Sequence, residues 1–225
     1  RIDSGAWTDY ATRTTDFSYT GSNGHTYEFQ YQVTDQAGNV SAWSTGGMVT
    51  IQSTAASCTL SAAPASINNG SSSTLTWTTS NSPTSCTASG GWSGAKNVAG
   101  GSENVSPINT TVYTLTCTNV AGSGVCSATV TVNHAPNVPI LVSPAAGAII
   151  NYNPTFSATV TDTDGGNVTA HFNLTGVTAD TAGSTVVSGN NSVWAPTIAD
   201  GTYTWRAYAM DPQGMTSAWT SLITF

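Results

Sequence analysis

The stretch His25 to Ser44, HTYEFQYQVTDQAGNVSAWS, recurs without a gap as Gly201 to Thr220, GTYTWRAYAMDPQGMTSAWT. A chain that uses one unit twice is confined to folds assembled from modules. Tyr27, Asp35, Gly38 and Trp43 fall on Tyr203, Asp211, Gly214 and Trp219. The period inside the unit is that of a strand with one wet face: Tyr27, Phe29, Tyr31 and Val33 alternate with Glu28, Gln30 and Gln32. In the second copy Tyr203, Trp205, Ala207 and Ala209 alternate with Thr204, Arg206 and Tyr208. Each Asp stands three residues before a Gly, as in a turn where the carboxylate accepts from backbone amides and Gly takes a positive φ. Tyr27 and Tyr203 open their strands, where a sandwich often places a tyrosine whose hydroxyl bonds back to the preceding loop.

Thr-, Val-, Tyr- and Trp-rich runs separated by Gly, Asn and Ser fill the rest of the chain, the all-β pattern of several small sandwiches. Only 7% of residues are charged, against roughly 25% in an ordinary domain, so Ser, Thr and Asn face the water. That surface is frequent in secreted and cell-surface proteins. A net charge of -7 repels phosphate backbones and anionic membranes, which argues against a nucleic-acid partner. No apolar run approaches the roughly 20 residues of a bilayer-crossing helix, so no membrane insertion is expected. The start at Arg1, without Met or signal peptide, reads as a processed product or a piece of a longer polypeptide.

Three modules are expected: residues 1–53, 58–133 and 138–225, joined by Thr54 to Ser57 and by NHAPN, Asn133 to Asn137. The first and third resemble fibronectin type III and related bacterial immunoglobulin-like modules. The likeness is carried by TY-x-F-x-Y-x-V-x-D-x-A-G-N-V-S-A-W and TY-x-W-x-A-x-A-x-D-x-x-G-x-x-S-A-W, and in the third module also by PNVPILVSPAAGAI and TVTDTDGG. The middle module, with SCTLSAAPASINNGSSSTLTWTTSNSPTSCTASGGWSG and TTVYTLTCTN, resembles a bacterial immunoglobulin-like repeat of multidomain extracellular proteins. The resemblance implies three tandem immunoglobulin-like (fibronectin type III-like) β-sandwiches. It says little of function, because such modules serve adhesins, filaments and secreted hydrolases alike.

All four cysteines lie in the middle module, each on the apolar parity of its strand: Cys58 with Leu60, Cys86 with Ala88, Cys117 with Leu115, and Cys126 with Ala128. Without CxxC or His spacing for zinc they read as disulfides made in an oxidising compartment, with three connectivities open. The strand order of such sandwiches favours Cys58 with Cys126 and Cys86 with Cys117. The second pair is the one that related repeats keep, and the first looks like an added staple.

His25, His134 and His171 fall in a turn, a linker and a strand of different modules, each read as a solvent contact, and no GxSxG, HExxH or phosphate loop occurs, so an enzyme is not expected. Asp162 and Asp164 in DTDGG, with Asp211 on a later loop, form a partial calcium pattern, the one cofactor candidate. Asp-Gly is first a turn former, and the turn is the preferred reading. Seven Trp and eight Tyr could supply a sugar-stacking platform, although most, Trp92 included, have inward positions. Seven Asn-x-Ser/Thr sequons leave glycosylation open.

The reading that results is a structural or adhesive segment of a larger extracellular, cell-surface or filament protein. Its expected partners are other domains or copies of the same protein, or a glycan or host-surface ligand. The competing reading is an accessory spacer or carbohydrate-binding region of a secreted hydrolase. The repeat also acts as a ruler. From Pro139, 64 residues precede Tyr203, but only 26 precede Tyr27, so the first sandwich is expected to be N-terminally incomplete. Phe29, Tyr31 and Val33 should then present an open apolar face.

Overall fold

β-Branched and aromatic residues at alternate positions favour extended backbone, and among the described residues strands recur from Thr26 to Thr224. The computed structural model describes residues 1–8, 19–22, 24–51 and 54–225, so residues 52 and 53, at the first module boundary, lie outside it. Its strands are β1 (Thr26–Tyr31), β2 (Ser44–Thr50), β3 (Ser57–Ala63), β4 (Ser66–Asn68), β5 (Ser73–Ser80), β6 (Ser85–Gly90), β7 (Gly94–Lys96), β8 (Gly101–Val105), β9 (Thr111–Asn119) and β10 (Gly122–Asn133). Then follow β11 (Ile140–Ser143), β12 (Phe156–Thr159), β13 (Asn167–Leu174), β14 (Thr178–Val187), β15 (Asn191–Trp194), β16 (Thr204–Met210) and β17 (Ile223–Thr224). The fold is all-β. By proximity the chain divides into two compact units, one of Arg1–Ala65, Thr74–Val105 and Thr111–Thr129, the other of Ser66–Ser73, Ser106–Thr110 and Val130–Phe225.

In the first unit β1 and β2 pair antiparallel, with a bulge at Phe29 and Gln30. Tyr27 is buried here, whereas Tyr31, Val33, Trp43 and Met48 are 56 to 72% exposed. Along the apolar parity Tyr27 and Phe29 are thus covered in whole or part, with Tyr19 packed on both, whereas Tyr31 and Val33 are exposed. The same unit holds the sheet β3-β5-β8 and, facing it, β10-β9-β6-β7. Between them Trp77, Trp92 and Tyr113 stack edge to face at 5.6 and 6.1 Å. Both indoles are satisfied, Trp77 Nε1–H donating to the Asn97 carbonyl and Trp92 Nε1–H to that of Thr114.

The second unit contains a sandwich of β11-β12-β15 against β14-β13-β16-β17. Its core is continuous and fully buried: Phe156, Ala158 and Val160 from one side meet Val168, Ala170, Phe172, Leu174, Trp205, Ala207 and Ala209 from the other. Strand β4 belongs to this unit as well, running parallel to the last residues of β10, with Val132 opposite Ile67.

The two copies of the repeat share most of their turn-holding bonds. The Tyr27 hydroxyl accepts from the Ser22 N–H at 2.8 Å, and the Tyr203 hydroxyl donates to the Ala199 carbonyl at 3.0 Å, so both tyrosines tie down the preceding loop. Gly38 and Gly214 have φ of 88° and 83°, and each donates its N–H to the carbonyl of the Asp three residues earlier. Asp35 Oδ1 accepts from Asn39 N–H and Asp211 Oδ1 from Met215 N–H, both at 2.8 Å. Ser41 and Ser217 accept from Val33 and Ala209 N–H and donate onward to the carbonyls of Ala42 and Ala218.

Asn119, at the turn from β9 to β10, organises the other end of the first unit. Its amide donates to the carbonyls of Thr54 and Asn81 at 2.9 and 2.7 Å, and its oxygen accepts from Ala121 and Gly122 N–H. Asn119 is 5% exposed, so the groups it serves have little recourse to water. Asn119→Ala is expected to destabilise this unit by about 3 kcal/mol, and Asn119→Asp, whose buried carboxylate would face the two carbonyls without a proton to give, by at least as much. Urea denaturation measures both, and an alanine variant with an unchanged midpoint would contradict this role.

Candidate functional site

The cysteines occupy opposite parts of one sandwich. Cys86 on β6 stands directly across from Cys117 on β9, and their sulfurs are bonded at 1.99 Å with Cα atoms 4.1 Å apart. Cys58 on β3 is bonded to Cys126 on β10 at 2.01 Å with Cα atoms 5.8 Å apart. The first bond crosslinks neighbours within one sheet and is buried, Cys86 being 1% and Cys117 0% exposed. The second joins the two sheets, and both its residues are half-buried.

The three aspartates of the calcium reading do come together. Asp162, Asp164 and Asp211 line a cavity of about 340 Å³ in the second unit, with Asn133 and the Gly165–Gly166 turn. Their oxygens already hold backbone and side chains. Asp162 Oδ1 accepts from Asp164 N–H at 2.8 Å, Asp211 accepts from Met215 N–H and, at 2.7 Å, from the Asn133 amide, and Asp164 faces His134. Among the described residues no group of three His, Cys, Asp or Glu side chains is placed to hold a metal ion. In the structure these carboxylates fix two turns and the segment that follows β10.

His134, read from sequence as a solvated linker residue, is tied at three points. Its N–H donates to Asp164 Oδ2 at 2.5 Å, its Nδ1 lies 3.1 Å from Asp164 Oδ1, and its Nε2 lies 2.9 Å from the Ile108 carbonyl. Carboxylate and carbonyl both only accept, so the doubly protonated ring suits both contacts. The Asp164 hydrogen bond, helped by the Ile108 carbonyl, accordingly raises the His134 pKa above its ordinary 6.5. For Asp164 burial works against ionisation, but the backbone and ring of His134 outweigh it and hold the pKa below 3.8.

The sign of the pH dependence follows from these directions. His134 contributes fully below 6.5, and its contribution fades as pH rises through its raised folded value. Asp164 contributes above 3.8, and its contribution fades as pH falls through its lowered folded value. The stability gap between the natural chain and Asp164→Asn is therefore expected to be widest between about pH 4 and 6.5 and to narrow by pH 9. Calorimetric melting across that range checks it, and a gap independent of pH would reject the pairing.

A second polar group lies on the face of β13 and β16 turned away from the core. His171 Nδ1 is 2.8 Å from Asp180, the Tyr208 hydroxyl donates to the same carboxylate at 3.0 Å, and the His171 and Tyr208 rings stack at 4.8 Å. Trp219 meets Tyr208 edge-on at 4.5 Å, and the Arg206 guanidinium lies 4.5 Å over the indole. The sequence offered only the alternation of Arg206 and Tyr208 on the wet face. The aromatic rings here pack on one another and on a cation, which consumes faces that a sugar platform would need.

No family model matches the chain, and no curated protein sequence does. Solved structures with a similar course of the chain include the PKD domain of a peptidase from a Thermoplasmatales archaeon, 27% identical over 41% of this chain and 97% of its own, with a TM-score of 0.35. Fibronectin(III)-like modules of Clostridium thermocellum CbhA are 13% identical over 71% of this chain and 86% of theirs, with a TM-score of 0.37. A bacterial ice-binding adhesin of 1.5 MDa is 16% identical over 74% of this chain and 63% of its own, with a TM-score of 0.39.

Proposed function

We propose that this chain is a structural or adhesive segment of a larger extracellular protein, acting as a stalk or connector at a cell surface or in a surface filament. The observation that carries this reading is the use made of polar side chains in the repeat. In both copies Asp, Ser and Tyr are engaged in holding backbone turns, and the matching bonds build a scaffold rather than a reaction centre. Two disulfides in one small sandwich support an oxidising compartment. Among the described residues no helix is long and apolar enough to cross a membrane. The partners proposed are neighbouring domains, copies of the same protein, or a glycan or host-surface ligand, and the segment is proposed to perform no catalysis of its own.

A second reading, the accessory or carbohydrate-binding region of a secreted hydrolase, draws on the exposed Tyr31 and Trp43 in the first copy and Trp7 ahead of it. Antibody against this chain, applied to intact unpermeabilised source cells, separates the two. Label over the surface or along filaments is the expected result. Recovery only from the medium, together with polysaccharide-hydrolysing activity, would shift the assignment to the second reading.

A further inference from the structure

Tension applied along a linear array enters each sandwich at its first strand and leaves at its last. Between residues 57 and 133 those strands are β3 and β10. Cys58 is the second residue of β3, and it is bonded to Cys126 on β10, across a sequence separation of 68. The intervening strands, and the whole Cys86–Cys117 loop with its separation of 31, hang to one side of that covalent path.

We propose that Cys58–Cys126 is an extension lock, through which load passes from β3 to β10 without entering the intervening chain. The inference rests on the connector reading above and specifies its mechanics. With this bond closed, the two cysteines stay 5.8 Å apart between Cα atoms and the loop between them cannot unravel. With it open and Cys86–Cys117 intact, the remaining chain, at about 3.5 Å per extended residue, would release roughly 130 Å, and with both open roughly 240 Å. The placement also explains why a second crosslink exists at all. Cys86–Cys117 already ties the buried core, whereas Cys58–Cys126 is half-buried and joins the start of the first strand to the middle of the last.

The test is single-molecule extension of the full 225-residue chain, held by handles at its two ends. Under non-reducing conditions the natural chain is expected to show no release from this sandwich beyond its short flanking tails. Cys58→Ser with Cys126→Ser should add a step of roughly 130 Å. Cys86→Ser with Cys117→Ser should leave the total extension unchanged, because that loop carries no load while the outer bond is closed.

Since a serine pair can impair folding, the natural folded chain is also pulled in a dithiol reductant. A reductant thiolate attacks one cystine sulfur and breaks the S–S bond. Its second thiol resolves the mixed disulfide, leaving two cysteine thiols and the oxidised, cyclic reagent. A new step of roughly 130 or 240 Å should appear only then. Release of that length from the oxidised natural chain, or a longer total extension in the Cys86 and Cys117 variant, would overturn the lock. Either failure would leave the surface-labelling result standing, so the lock and the connector reading fail separately.

Discussion

Trp205→Ala is expected to destabilise the sandwich of the second unit by about 4 kcal/mol, while Val33→Ala, at the position the repeat aligns with Ala209, should change stability by less than about 0.5 kcal/mol. Trp205 is 0% exposed, and its ring stands 5.1 Å from Phe156 and 6.0 Å from Phe172. Its Nε1–H donates to the Pro144 carbonyl at 3.2 Å in the interior. Truncation therefore leaves a cavity and removes the partner of a buried carbonyl. Because a domain of this size has only about 5 to 15 kcal/mol of stability, the melting temperature should fall by roughly 20 °C. Val33 is 60% exposed, and its loss removes little burial. Thermal denaturation of the two variants decides the matter, and a Trp205→Ala midpoint within a few degrees of the natural chain would rule out this core.

The second large effect concerns the two crosslinks, and it reverses the order that loop length alone suggests. Chain entropy assigns the separation of 68 about 4.4 kcal/mol and the separation of 31 about 3.7 kcal/mol. Yet replacing Cys86 and Cys117 by serine leaves two hydroxyls in a site that is 1% and 0% exposed, and each buried hydroxyl without a partner costs about 1 to 3 kcal/mol. The half-buried positions 58 and 126 let water reach a serine more readily. The Cys86→Ser, Cys117→Ser variant is therefore expected to lose about 6 kcal/mol or more and the Cys58→Ser, Cys126→Ser variant about 4. Guanidinium denaturation under non-reducing conditions compares them, and equal losses would show that burial does not set the order.

What could be read from sequence was what local patterns carry. Alternation placed Trp205 and Leu115 inward, the Asp and Gly spacing announced the turns at 35 and 211, and the opening tyrosines indicated hydroxyl bonds to the preceding loop. Strand parity put all four cysteines inward, but pairing needed strand order, which came from the resemblance. Contacts that depend on long-range register were out of reach. Nothing around Asn119 names Thr54 and Asn81 as its acceptors, and nothing in NHAPN names Asp164 and Ile108 as the partners of His134. The aspartates at 162, 164 and 211 show the same limit from the other side. Their gathering at one cavity was foreseeable from the loop order, but the donors that occupy them lie 2 to 78 residues away.

The serine of each SAW motif bears on how an array of similar units avoids entangling itself. In both copies its hydroxyl takes the N–H of Val33 or Ala209 at 3.0 or 2.9 Å, the rung that a carbonyl of an incoming strand would otherwise fill. Repeats tethered in one polypeptide meet at high local concentration, and an open rung invites one copy to borrow a strand from the next. A side chain that fills the rung from within its own loop closes the end of the ladder before a neighbour arrives. In each copy the smallest hydroxyl residue of the motif leaves that N–H with nothing to offer a neighbour's strand.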